Sequence, residues 1–381
     1  MANLRTPLPG RALQVASIHE RLNFVRAMGS LSTVIRVDVG PRGVGKTSLL
    51  RASQLAAEAD GFVTVWVTAG DGPLLDALTV EFGELARTWT ITARNLVTAA
   101  INSLTLSIGP VNISGSALTS TTEQPMRGPG RALQDLLRTA TTAAVESGAS
   151  GLVVFIDEIQ AADATSLRSL AYAWQHMQSE DASLRAACFT AGLSHSQEVI
   201  SRAASFAERF DYQRLTNLTD EASIEALSTP SERSGVTWST DALRAAHTTS
   251  ANYPYFVQVI GNETWKAAGY PTAGGILTKA HVDAARIAFS ELQLNFFGSR
   301  WNAATDGEQR FLVAMARNGG VDVRRRDIAD ALGVETTAIS MTRASLLAKG
   351  LIEDRTRGKL SFTAPGFTEY ILVEVLDEGE T

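Results

Sequence analysis

The stretch VGPRGVGKTSLL, residues 39–50, sets Gly40, Gly45, Lys46 and Thr47 in the order Gly-x-x-x-x-Gly-Lys-Thr. Glycines at these places let backbone N–H groups turn inward on an anion, and a following helix adds the partial positive charge of its N-terminus. The run Gly40, Pro41, Arg42, Gly43, Val44, Gly45 would wrap β- and γ-phosphate oxygens, with Ser48 opening the helix behind it. Lys46 supplies a mobile cation to the same oxygens, and the Thr47 hydroxyl is placed to ligate Mg²⁺. A second group lies in GLVVFIDEIQ, residues 151–160, where an apolar run ends in Asp157 and Glu158. Carboxylates at the end of a buried strand are costly unless they serve a cation or a proton. Asp157 would hold the Mg²⁺ shell and Glu158 would polarise the attacking water, as phosphoryl transfer requires. Together the two motifs predict a Mg²⁺-nucleotide hydrolysis site.

Such a site needs strands that end where the ligand sits. STVIRVDVG, FVTVWVTAG, GLVVFIDE and AACFTAG are short, nearly continuous in Val, Ile, Phe or Ala, and each ends in a turn residue. Strands buried on both faces of a parallel sheet read this way, and the amphipathic stretches between them predict βαβ units. The expected class is α/β, with a strand over Val34–Val39 and a helix over Ser48–Ala59 flanking the phosphate loop. Three composition regimes follow: an α/β core over 1–215, a helical segment over 216–295, and short helices closing in a hairpin over 296–381. Thr219 or Asp220 is the expected cap of the first helix in the middle segment. Residues 88–129 read as an insertion in the core, with TLSIG and VNISG as a small hairpin around Gly109–Pro110 and a Ser/Thr-rich loop behind it. It serves either as a partner contact or as a spacer.

Composition narrows the class. The 381 residues carry 45% hydrophobic and 19% charged side chains, ordinary for a globular chain, and a length that predicts two or three domains. A net charge of −6 argues against coating nucleic acid through bulk charge, though a local basic surface is compatible with it. Cys188 is the only cysteine, so no intrachain disulfide can form, which fits a reducing cytosol, and its apolar surroundings predict a buried strand residue. Arg5, Pro7 and Pro9 interrupt the N-terminus where a secretory signal needs an apolar run, no apolar stretch approaches the ~20 residues of a membrane helix, and the histidines lack zinc-ligand spacing. The expected setting is cytoplasmic, away from membranes.

With these motifs in this order, the chain resembles the AAA+/STAND-type ATPases, in particular the origin-recognition-like AAA_16 proteins, over nearly its whole length. The resemblance implies ATP as the nucleotide, a helical lid, and ATP hydrolysis. LPGRALQVASI resembles the family's opening segment and would place Arg11 beside base and ribose. FTAGLSHS matches the fourth core strand, where the family keeps a polar sensor of the γ-phosphate; Thr190 is the candidate, Ser194 the alternative, and a plain strand threonine the other reading. In AERFDYQRLTNLTDEAS, Arg209 aligns with the arginine that reaches a neighbouring subunit's nucleotide, with Arg202 as the alternative and a helix-end ion pair as the competing role. SANYPYFVQVIG is similar to the Gly-x-Pro lid motif, with Asn252 in the glycine's place and Pro254 kept. The lid then lacks the sensor arginine of many motor proteins, which implies a slow switch.

The last segment patterns as a helix-turn-helix with a wing. Thr305 or Asp306 caps a helix that stops at Gly319–Gly320; a helix over Arg325–Leu332, a turn at Gly333–Val334, a helix over Thr336–Lys349 and a hairpin turning at Arg357–Gly358 follow. Ile328, Ala329, Leu332, Ile339, Leu346 and Leu347 are the expected shared core. On duplex DNA the second helix would enter the major groove with Arg343, while Arg355, Arg357 and Lys359 meet phosphates from the wing. Arg324–Arg326 form a second basic cluster, and Glu353, Asp354 and the acidic tail oppose it. The alternative is that this module contacts protein, another copy of the chain included.

Overall fold

The computed structural model describes residues 8–108, 128–356 and 358–376. Helix α1 (Ala12–Met28) leads to strand β1 (Arg36–Val39), helix α2 (Lys46–Ala59) and strand β2 (Val63–Thr68). Helices α3 (Leu74–Ala86), α4 (Ile91–Ile108) and α5 (Pro129–Glu146) precede β3 (Leu152–Asp157), α6 (Ala164–Glu180), β4 (Ala186–Gly192), α7 (Ser196–Ala203) and β5 (Asp211–Arg214). The five strands form one parallel sheet in the order β2-β3-β4-β1-β5, the α/β sheet of a P-loop NTPase. Strand β5, DYQR, has no apolar run, and the hydrophobic pattern alone does not reveal it.

All four residues of β1 are buried, Arg36 and Asp38 included. Side chains alternate along a strand. Val37 and Val39 join the apolar cluster beneath α3–α6, while Arg36 and Asp38 share the other face. There Arg36 Nη2 donates to Asp38 Oδ1 at 2.9 Å and Nη1 to Ser17 Oγ of α1 at 2.9 Å. Phe155 and Phe189 stack at 5.6 Å in the cluster on the α1/α2 side. Each such fully buried side chain contributes roughly 1.5–3 kcal/mol.

The hairpin expected at TLSIG is absent: residues 105–108 are the last turn of α4, which packs on α3 and α5 with Val97 and Leu104 buried. A face repeating every three to four residues over ITARNLVTAAINSLTLSI outweighs the short alternation at its end. The remainder of that segment, residues 109–127, lies outside the described residues.

Beyond the sheet come α8 (Asp220–Arg233), β6 (Thr237–Trp238), α9 (Thr240–Ser250), α10 (Pro254–Ala267), β7 (Ile276–Leu277) and the long α11 (Lys279–Asn302). Thr219, not Asp220, caps α8, accepting from the Ala222 amide at 3.2 Å. Helix α11 runs straight through residue 295, and one buried cluster extends from Leu227 to Ile371, so the middle and last segments share a core. The last segment contains α12 (Asp306–Arg317), β8 (Val323–Arg324), α13 (Arg325–Leu332), α14 (Ser340–Ala348), β9 (Ile352–Thr356) and β10 (Lys359–Phe362). The strands form a sheet in the order β8-β10-β9. Helix α14 begins at Ser340, four residues later than its sequence suggests, because residues 336–339 form a turn that buries Ile339. Among the described residues, no helix is long and apolar enough to cross a membrane.

Candidate functional site: a phosphate loop under a lid

The loop after β1 is shaped by what presses on it. Gly45 caps α2 at φ +92°, a left-handed conformation that L side chains rarely adopt. Gly43 lies at φ +77°, and a Cβ there would sit 2.3 Å from Tyr253 Oη. That tyrosine, immediately before α10, is fully buried and donates to the Arg42 carbonyl at 2.5 Å. Burial pushes its hydroxyl pKa up to about 12, so it remains a donor at neutral pH. Asn252, where the resembling family has glycine, lies at φ 60° and donates to Asp220 at 2.6 Å. Asparagine tolerates this region better than most residues, which is why it can replace the glycine. Pro254 takes the first position of α10, where its missing N–H costs nothing.

The chemistry-bearing side chains meet beneath the loop. Helix α2 starts at Lys46, two residues before the sequence-based boundary, so Lys46 and Thr47 stand on its first turn. Thr47 Oγ1 donates to Asp157 Oδ2 at 2.8 Å, joining the loop to the end of β3. Lys46 Nζ donates to the Pro41 carbonyl at 2.7 Å. Burial lowers the Lys46 pKa to about 8, against the opposing pull of Glu158 and Asp157. Glu158 has a left-handed backbone, φ 52°, and its amide donates to Asp157 Oδ1 at 2.9 Å. Glu158 is one of the residues that line the cleft. Thr47 and Asp157 are an oxygen pair of the kind Mg²⁺ takes, so the residues present fit that ion.

Gln160 is a member of this site that sequence reasoning passed over. Its Nε2 donates to Glu158 Oε2 at 2.5 Å, and its Oε1 accepts from the Leu193 amide at 2.9 Å. It thus ties the carboxylate to the exit of β4. The residue is visible in IDEIQ, but no spacing rule marks it.

The other named residues are placed differently. Thr190 is fully buried and its hydroxyl donates to the Arg36 carbonyl at 3.1 Å, so it acts in the sheet and does not face the cleft. Ser194 Oγ, beyond it, is buried without a hydrogen-bond partner. Arg11 is buried, and its Nη2 donates to the Val44 and Thr216 carbonyls at 2.9 and 2.7 Å. These bonds tie it to the phosphate loop and to the segment after β5, and it also lines the apolar slot beside the phosphate cavity. Arg209 is exposed at the end of a 3₁₀ turn, and Arg202 pairs with Glu198 at 3.5 Å. An arginine does approach the loop from the lid side: Arg300 of α11 stacks 3.4 Å above Phe296, with its Nε buried and unpartnered. Burial lowers its pKa.

In the last segment, Arg343 is bound in an ion pair to Asp354 and does not project from α14. The partly buried Asp354 carboxylate on the adjacent strand draws the guanidinium in, in place of the groove contact expected of it. Lys359 lies beside Arg324 in the β8/β10 register. Residue 357 and the side chain of Arg355 lie outside the described residues.

Two cavities adjoin the loop. One of about 290 Å³ is lined by Arg42, Gly43, Lys46, Thr47 and Glu158 from the core and Pro254, Tyr255 and Gln258 from the lid. Another of about 230 Å³ is mostly apolar, lined by Leu8, Pro9, Val44, Leu218, Pro254 and Val257. A phosphate cradle opening onto an apolar slot has the form of a nucleotide site, and the sheet and loop define a P-loop NTPase. The sequence comparisons carry this further. Residues 7–186 match the family described as AAA ATPase domain, AAA_16, which supports an ATPase-type reading of the first half of the chain. Residues 294–371 match a domain of unknown function, DUF8462. No curated protein matches the sequence. Among solved structures, the chain is similar to the Walker-type ATPase PABY2304 of Pyrococcus abyssi, at 14% identity and TM-score 0.61, covering 95% of each chain. It is also similar to the ORC2 protein of Aeropyrum pernix in ADPNP and ADP complexes, at 14% identity and TM-score 0.56, covering 99% of this chain and 97% of that one. Cdc6p of Pyrobaculum aerophilum matches at 15% identity and TM-score 0.50, over 99% and 97%. At these identities the likeness is one of fold.

Proposed function

We propose that the chain is a slow Mg²⁺-ATP-hydrolysing switch whose nucleotide state sets the position of its C-terminal module. The observation carrying this reading is the 2.8 Å bond from Thr47 to Asp157 beneath a cavity that core and lid line together. Lys46 would neutralise the β/γ-phosphates, Thr47 and Asp157 would hold Mg²⁺, and Glu158 would orient water, with Gln160 restraining its carboxylate. Bound Mg²⁺ supplies the charge that draws phosphate oxygens and water into line. Arg42 supports a route outward: its carbonyl takes the Tyr253 hydroxyl, and its Nε lies 3.3 Å from where a Cβ on Gly350 would be. One loop residue therefore touches both the lid and the winged-helix-like end module. If Arg209 reaches a second copy of the chain, assembly would complete the site.

For the end module two partners compete. Arg324 and Lys359, side by side, suit the phosphates of duplex DNA. Met341, 86% exposed on α14, and the engagement of Arg343 favour a protein partner. Titration of duplex DNA binding against salt, with and without Mg²⁺-ATP, separates them. A DNA-bound switch gives a negative log–log slope of a few units that shifts with ATP, whereas no binding at low salt leaves the protein partner.

A further inference from the structure

A third cavity, of about 360 Å³, lies in the lid, bordered by α8, β6 and α10. Ala226, Pro230, Val257 and Gln258 line both this cavity and the apolar slot beside the phosphate loop, so the two share a wall. Gln258 lines the phosphate cavity as well, and this one residue of α10 borders all three. The lid cavity differs from its neighbours in chemistry. Among the described residues that line it none is charged, whereas Arg11 borders the slot and Lys46 and Glu158 the phosphate cavity. Two partly buried indoles, Trp238 and Trp265, supply its aromatic surface. The Trp238 N–H donates to the Leu227 carbonyl at 3.2 Å, which leaves that ring as an apolar wall. The polar groups at the cavity are neutral: the amides of Gln258 and Asn262 and the hydroxyls of Ser231 and Ser234.

The two helices at this cavity contain the residues that helix interiors tolerate least. Pro230 lies inside α8 and Gly261 inside α10, and both line the cavity. Proline removes an amide and clashes with the preceding turn, and glycine loosens the backbone, so each lowers helix stability relative to alanine. Packing does not demand glycine at 261. Its φ is not left-handed, and a Cβ there would meet only Leu227 Cδ2, at 3.4 Å, an ordinary contact. What the missing side chain leaves is room in the cavity.

We infer that the lid cavity is a second binding site, for a small, uncharged, flat heteroaromatic molecule, whose presence strengthens nucleotide binding through the shared wall. A flat ring covers the indole surfaces and takes apolar area out of water, while its N–H or C=O edge meets the neutral amides and hydroxyls. A charged molecule would lose hydration there with no opposite charge in the lining to offset it. The volume suits one or two fused rings. A ligand on one side of a shared wall fixes side chains that the other ligand also packs against, so each favours the other by the same factor. The coupling rests on the reading of the cleft as a Mg²⁺-nucleotide site; the lid site stands on its own geometry.

Calorimetry on the full chain tests this, with indole as the probe and indole-3-acetate as the same ring bearing a charge. Wild type should bind indole, and should bind indole-3-acetate at least about tenfold more weakly. Trp265→Ala should weaken indole by about tenfold or more, and Gly261→Leu, which adds a side chain to the cavity wall, should abolish its binding. Neither residue lines the slot or the phosphate cavity, so without indole both variants should bind Mg²⁺-ATP as wild type does, which also shows that they fold. At saturating indole, wild-type affinity for Mg²⁺-ATP should rise about threefold or more. No indole binding by wild type, or binding that survives in both variants, overturns the site. Displacement of indole by ATP also overturns it, because the probe then occupies the nucleotide slot. Unchanged ATP affinity at saturating indole overturns the coupling. Failure of wild type to bind Mg²⁺-ATP at all overturns the nucleotide reading instead, and the indole titrations then decide the lid site alone.

Discussion

The cleft under the lid and the C-terminal module both collect charged residues, but they use them in opposite ways. In the cleft, Lys46, Asp157 and Glu158 converge from a helix start and a strand end on one cavity, and the Lys46 ammonium is bonded only to a backbone carbonyl. In the end module charges satisfy one another: Arg343 with Asp354, Lys349 with Glu308 at 2.6 Å, Arg326 with Asp330 at 3.5 Å. A cation that is buried, depressed in pKa and paired with no carboxylate has electrostatic capacity left for a ligand. A cation already paired has little left, and stabilises the fold instead.

Breaking the cleft side should give the largest effect. Lys46→Ala removes the cation at the phosphates and should weaken Mg²⁺-ATP binding by about 100-fold or more, a loss of roughly 3 kcal/mol. Calorimetry checks it, and tight binding by the variant would dismiss the site. Next, Glu158→Gln should keep ATP binding and lower turnover by about 100-fold, within the range for loss of a positioned base. An unchanged hydrolysis rate removes Glu158 from its role. The smallest effect, and the one that sharpens the contrast, is in pH. Phosphate binding needs protonated Lys46, so ATP affinity should decline above pH about 8 by up to about tenfold per unit, with proton uptake visible in buffers of different ionisation heat. The end module should respond at the acid limb. Burial raises the Glu308 pKa, but hydrogen bonds from Lys349, Ser345 and Thr305 outweigh it and hold the pKa at about 2. That depression stabilises the fold above pH ~4.5 and is lost as pH falls toward 2. Thermal melts across acid pH check this; a midpoint flat to pH 2 would show that the pair contributes nothing.

The regions also differ in how far their sequences can be read. In the cleft, glycines, a lysine and a strand-end carboxylate fix the backbone path, and once the path is fixed the side chains can meet in only one place. Lys46, Thr47, Asp157 and Glu158 were legible for that reason. In the end module the helix and hairpin patterns were visible, but the direction of Arg343 was not, because it depends on Asp354, which stands on the neighbouring strand. The misread end of α4 shows the same limit: a few alternating residues resemble a strand until a helix partner, here α5, claims their apolar face.

By itself the sequence determined the phosphate loop, four of the five parallel strands around it and the carboxylates at the end of β3. These follow from local rules of backbone freedom and hydrophobic period. Only the tertiary structure decided that Tyr253 clamps Gly43, that Gln160 restrains Glu158, that Arg36 and Asp38 are paired inside the sheet, and that Thr190 and Arg11 are held by carbonyls. Each depends on a partner distant in the chain or on a side-chain direction. A hydrogen bond exists only when both its ends arrive.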